Sequence, residues 1–127
     1  MDKLSIEQTK ATPFIDFDPK NNILKIKGQS YPENALKFYE PVLEWVDEYL
    51  EVASGNISID IEFVMPYINT SSSKCIMMFL DKLEEAYKSG KNISINWFYD
   101  EENESSLECA EEFKEDVTLP FEIVPVK

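Results

Sequence analysis

Five short runs rich in β-branched and aromatic residues alternate with three longer stretches of helical periodicity, and this alternation leaves few folds open to the chain. Phe14-Ile-Asp-Phe17 and Ile23-Leu-Lys-Ile-Lys27 read as two strands, with Asp18-Pro-Lys-Asn-Asn22 as the turn of a hairpin. Leu36, Tyr39, Leu43, Val46 and Leu50 then mark one helical face, and Phe38, Val42, Trp45 and Tyr49 form a stripe beside it, which predicts a deeply buried helix. Pro41 interrupts this pattern. The expectation is a short turn over 34–39, then a kink or a fresh start with Pro41 at the first helical position. Ile57–Val64 is the third strand. A second helix runs from about Lys74 to Lys88, with Ile76, Phe79, Leu83 and Ala86 on one face, and Gly90 stops it. Asn92–Tyr99 is the fourth strand, Asn103–Asp116 the third helix with Leu107, Ala110 and Phe113 inward, and Pro120–Val124 the last strand.

The order β-β-α-β-α-β-α-β predicts an α/β fold. Its mixed five-stranded sheet is packed with helices, and the helical crossovers are right-handed and parallel. One domain spans residues 1–127, with residues 1–10 polar and fraying or pairing at an edge. No apolar run approaches the roughly 20 residues of a spanning helix, and Met1–Glu7 lacks the pattern of a signal peptide. The expected location is therefore cytoplasmic, without membrane insertion.

The net charge is −13, from 12 basic and 25 acidic residues, and no clustered basic face offers itself to nucleic acid. The absence of histidine removes Ser-His and Cys-His activation and the usual zinc or non-haem iron sites. Three isolated glycines cannot build a nucleotide-cradling loop. Cys75 and Cys109 read as buried free thiols. Nine carboxylates between Asp100 and Asp116 read as a solvated helix face, since they lack the spacing of a calcium loop. No metal, cofactor or catalytic residue is expected. On the fourth strand, Trp97 and Tyr99 share one face and Phe98 takes the other, as core beneath helices.

The segment that carries chemistry is Tyr67-Ile-Asn-Thr-Ser-Ser-Ser-Lys74. It lies where a strand ends and a helix begins, at the carboxyl edge of the sheet, where backbone N–H groups and the helix dipole favour anions. Asn69 or Thr70 is an ordinary N-cap. Yet four consecutive hydroxyl residues, Thr70 to Ser73, exceed what one cap needs, and a phosphate placed there would add about −1.5 to −2 charge.

Ser30-Tyr-Pro-Glu-Asn34, Glu44-Trp-Val46, Tyr67-Ile-Asn-Thr-Ser-Ser72, Leu83-Glu-Glu-Ala86, Trp97-Phe-Tyr-Asp100 and Ala110-Glu-Glu-Phe-Lys-Glu-Asp116 with Pro120-Phe121 occur in order over about residues 10 to 125. Together they resemble the SiaC family of bacterial regulatory phosphoproteins. The resemblance implies a STAS-like fold and a non-enzymatic signalling switch. The threonine that a partner Ser/Thr kinase modifies and a PP2C-type phosphatase restores maps onto Thr70, with Ser71, Ser72 and Ser73 as further acceptors. Ser73 departs from the family's pattern, which has a typically apolar residue there. The unmodified form would bind and activate a diguanylate cyclase, raising cyclic di-GMP and favouring biofilm growth. The implied partner-binding residues are Tyr31, Pro32, Glu33, Asn34, Asn69, Thr70, Ser71 and Ser72. An alternative is an anti-sigma factor antagonist whose target is a kinase-type anti-sigma factor, and a small carboxylate-dependent enzyme is a more distant one.

Overall fold

A computed structural model describes residues 1–127. The elements run β1 (Leu4–Ile6), β2 (Phe14–Asp18), β3 (Ile23–Lys27), α1 (Ala35–Val52), β4 (Ser58–Val64), α2 (Thr70–Lys88), β5 (Asn92–Asp100), α3 (Glu104–Glu115) and β6 (Phe121–Val126). They form one sheet in the order β1-β2-β3-β4-β5-β6, antiparallel through the first three strands and parallel from β3 to β6.

The sheet has six strands where the sequence predicts five. The extra one is β1. Leu4, Ser5 and Ile6 carry little strand signal, but they pair with Phe17, Asp16 and Ile15. The Trp45 indole N–H donates to the Asp2 carbonyl at 2.9 Å. Lys3 Nζ also approaches Asp16 Oδ1 at 3.0 Å, close enough for charge attraction though not aligned as a hydrogen bond. Of the two expectations for residues 1–10, fraying or pairing at an edge, Leu4–Ile6 take the second.

Register explains the core. Ile15, Ile26, Phe63 and Trp97 lie across one row, and Phe17, Leu24, Ile61 and Ile95 across the next, so one face of every strand carries large apolar groups. All eight are essentially inaccessible to water. The intervening row, Asp16, Lys25, Glu62, Asn96 and Glu122, faces the other way and meets solvent. All three helices therefore pack on a single face, as successive right-handed crossovers in one direction require. The ring contacts place them in order. Phe17 meets Trp45 of α1 at 5.4 Å, Phe63 meets Phe79 of α2 at 5.9 Å, and Trp97 meets Phe113 of α3 at 5.7 Å.

Helix α1 runs unbroken through Pro41 rather than restarting there. Pro41 and Lys37 are both exposed, so the Lys37 carbonyl that loses its helical donor belongs to the water-facing side of the helix. The buried stripe joins Tyr39, Leu43 and Val46 of one predicted face with Val42 and Tyr49 of the other and adds Ala35, whereas Leu36 is exposed. Strand β6 ends the sheet. The Pro120 and Val126 carbonyls accept from the Ile95 and Glu101 N–H groups, so Pro125 falls in the outward phase. There it costs no ladder bond and blunts the edge against a further strand.

Candidate functional site

Parallel strands with same-face crossovers bring all three helix N-termini to one edge of the sheet. Each begins with an asparagine side chain that accepts from the amide three residues on. Asn34 Oδ1 takes the Lys37 N–H at 3.1 Å, Asn69 Oδ1 the Ser72 N–H at 2.8 Å, and Asn103 Oδ1 the Ser106 N–H at 3.1 Å. Asn69 is thus the cap, and Thr70, Ser71, Ser72 and Ser73 are the first four residues inside α2 rather than a run before it. Asn103 was not among the sequence-predicted site residues. Its signal was the spacing Asn-x-x-Ser, which occurs at 69/72 and again at 103/106.

The helical turn separates the four hydroxyls. Thr70 and Ser71 are exposed and Ser73 is half-buried. Ser72, at the third position, points inward and is fully buried. It therefore cannot receive a phosphate or touch a partner in the folded state. The Ser30 hydroxyl donates to Ser72 Oγ at 2.8 Å, and Ser30 Oγ lies 2.7 Å from the Tyr39 hydroxyl. Burial pushes the Tyr39 phenol up to about 12, against the opposing pull of these hydroxyls. The three groups form a buried chain from α1, through the loop after β3, to the first turn of α2. A cluster of residue types in the sequence gives no sign of this division.

Ser30 also joins the two segments through its backbone. Its N–H donates to the Tyr67 carbonyl and its own carbonyl accepts from the Asn69 N–H, both at 2.9 Å, a short parallel bridge of Ser30 with Ile68. Tyr31 follows, with its ring 6.1 Å from that of Tyr67. Tyr31 and Pro32 are half-buried, Glu33 and Asn34 exposed, and Tyr67 is 52% exposed. The structure therefore brings Tyr31–Asn34 and Asn69–Ser71 together on one edge, and Ser72 supports them from below.

Helix α3 closes the other side. The Asn103 side-chain amide donates to the Pro66 carbonyl at 3.0 Å, and the Ser106 hydroxyl to the Met65 carbonyl at 3.2 Å. The Trp97 indole N–H donates to Ser106 Oγ at 3.2 Å. Between α3 and residues Met65–Ile68 lies a cavity of about 140 Å³ bordered by Cys109. Cys109 is half-buried rather than buried as expected, and burial, aided by Glu112, pushes its thiol up to about 11, so it is protonated at neutral pH. A larger cavity of about 250 Å³, lined by Ala53, Gly55, Ile57 and Lys91 among others, lies at the opposite end of the strands, away from every residue above. No three carboxylate or thiol groups converge as metal ligands. Chemically, the edge offers exposed hydroxyls beside helix amides, tyrosine rings and an acid, which suits recognition rather than bond-making. No helix is long and apolar enough to cross a membrane.

Whole-chain similarity to known proteins gives the family. The family profile described as SiaC family regulatory phosphoprotein matches residues 6–126. An uncharacterized protein of Pseudomonas aeruginosa (strain UCBPP-PA14) is 42% identical over 123 residues, which is 97% of this chain and 96% of that protein. The crystal structure of apo-SiaC from Pseudomonas aeruginosa is similar at a TM-score of 0.91 and 40% identity, covering 98% of this chain and 99% of that one. A chain in the crystal structure of the diguanylate cyclase SiaD in complex with its activator SiaC, from the same organism, gives 0.90 and 41%, covering 97% and 99%. The chain belongs to the SiaC family of regulatory phosphoproteins, proteins that regulate rather than catalyse.

Proposed function

We propose that this chain is a cytoplasmic phosphoswitch whose unmodified form binds and activates a diguanylate cyclase, and whose modification at Thr70 ends that contact. The observation that carries the reading is the position of Thr70. It is the first residue of α2, exposed, at the edge that also presents Tyr31, Pro32, Glu33 and Asn34. The similarity to a protein solved as the activator of a diguanylate cyclase supports the choice of partner. A Ser/Thr kinase would add the phosphate and a PP2C-type phosphatase would remove it. The same reading places the fold near the STAS domains, on the strength of its mixed sheet and three helices.

The switching step is electrostatic. A phosphate on Thr70 lies beside the free amides of the first turn of α2, so the fold tolerates it. A partner docked over the same edge would have to desolvate a dianion, which is costly unless the partner supplies an Arg or Lys to meet it. The fold persists in either state, and the surface offered to the partner changes.

The test is a pull-down from native lysate with the wild type, Thr70→Ala and Thr70→Asp as baits, read by mass spectrometry for partners and for phosphate. The reading expects a diguanylate cyclase on the wild type and Thr70→Ala but not on Thr70→Asp, with phosphate on Thr70. Identical partners on all three baits, with no phosphate at residues 70–73, would reduce the hydroxyls to helix-start residues.

A further inference from the structure

The Tyr39–Ser30–Ser72 chain is the only set of three side-chain hydroxyls linked to one another inside the core. Ser30 and Ser72 are wholly buried and Tyr39 nearly so. Packing alone does not call for it, since three apolar groups of similar shape would fill the same space without a desolvation cost. Its members come from three separate segments. Tyr39 stands one turn into α1, Ser30 in the loop after β3, and Ser72 in the first turn of α2. With Ser30 donating to Ser72, the Tyr39 hydroxyl is left to donate to Ser30, so every link has one polarity. The Ser30 backbone adds two further bonds to the same turn, at Tyr67 and Asn69.

We propose that Ser30 and Tyr39 are positioning residues for the switch turn. Their buried hydroxyls lock the Tyr31–Asn34 loop and the Thr70–Ser71 turn into one rigid recognition surface, so that a charge placed on Thr70 is felt at Tyr31–Asn34. This rests on the reading of Thr70 as the modified residue. It adds that the surface responds as a unit and names what couples it. The coupling runs through short, satisfied hydrogen bonds in a dry environment, where a displaced donor has no water to replace its partner. A shift of the first turn of α2 is therefore passed to Ser30 and to the loop that follows it.

The test uses the full chain in isolation and reads backbone amide resonances by NMR, with Thr70→Asp as the perturbation. In the wild-type background the substitution moves the amides of Tyr31, Glu33 and Asn34 as well as those of residues 69–73. In a Ser30→Ala background the changes at 31–34 become at least ~3-fold smaller while those at 69–73 persist, because coupled positions stop interacting once the link is cut. Tyr39→Phe keeps the Ser30–Ser72 bond and gives an intermediate loss, and it carries the test if Ser30→Ala does not fold. Changes at 31–34 that are absent in the wild type, or undiminished in both variants, overturn the proposal. A variant that only lowers the melting temperature while transmission survives overturns it too, since that is what a purely structural role predicts. Binding of a diguanylate cyclase that ignores Thr70→Asp would refute the switch reading separately, without touching the transmission result.

Discussion

The three asparagine caps share one chemistry in three settings, so their removal should rank in a way the structure fixes. Asn34 caps an exposed amide, whereas Asn69 and Asn103 cap amides that are partly buried. Loss of an N-cap costs about 0.5–2 kcal/mol, least where water can replace the side chain. Asn34→Ala should then cost about 0.5 kcal/mol, and Asn69→Ala and Asn103→Ala about 1–2 kcal/mol each. In urea unfolding, with a slope of about 1.5 kcal/mol/M and unchanged among the variants, the two larger losses lower the midpoint by roughly 1 M. Aspartate separates the two. Asn69→Asp keeps the cap acceptor and adds a charge favoured by the helix dipole by about 0.3–1 kcal/mol, so it should match or exceed the wild type. Asn103→Asp keeps its cap but loses the amide that donates to the Pro66 carbonyl and sets a carboxylate against that oxygen, so it should remain destabilised. Equal losses at all three alanine variants, or full recovery in Asn103→Asp, would refute the reasoning.

Other perturbations read other parts of the structure. Burial holds the phenols of both Tyr39 and Tyr49 up to about 12, so two of the six tyrosines should ionise late in absorbance at 295 nm. A phenol that ionises near 10 when unfolded and near 12 when folded contributes stability that is complete below pH 10 and lost between about 10 and 12. Tyr39→Phe should flatten that fall, and melting curves across this window would check it. Burial pushes the Glu84 carboxyl up, but hydrogen bonds from the Thr118 hydroxyl and from the Thr118 and Leu119 amides outweigh it and hold the group below the usual range. A depressed carboxyl stabilises above its unfolded value and loses that contribution as pH falls. Glu84→Gln should therefore melt lower than the wild type at pH 7, with the difference shrinking towards pH 3. Burial raises both the Cys75 and Cys109 thiols, so neither should react with a thiol reagent at pH 8 until the chain is unfolded.

The element order was legible because each segment writes its own period. Residues Ile59, Ile61 and Phe63 alternate, while Ile76, Phe79, Leu83 and Ala86 recur at helical spacing. Strand β1 was not, because three residues become a strand only through β2 and the Trp45–Asp2 bond, both distant in sequence. The course of α1 through Pro41 depends on which side of the helix meets water, and two overlapping apolar stripes did not settle that. At the candidate site, the hydroxyl run lies where the sequence put it, at the carboxyl end of β4 and the start of α2. The sequence could not place the cap between Asn69 and Thr70, and one residue of register decides which hydroxyls face out. Asn69 as cap sends Thr70 and Ser71 to solvent and Ser72 into the core.

The most direct measurement is isothermal titration of a purified diguanylate cyclase with this protein in its unmodified form and with Thr70 quantitatively phosphorylated, alongside cyclic di-GMP production by the same mixtures. The account predicts that the unmodified protein binds and raises cyclase activity, and that the phosphorylated protein does neither. Equal binding and equal activation by both forms would contradict it.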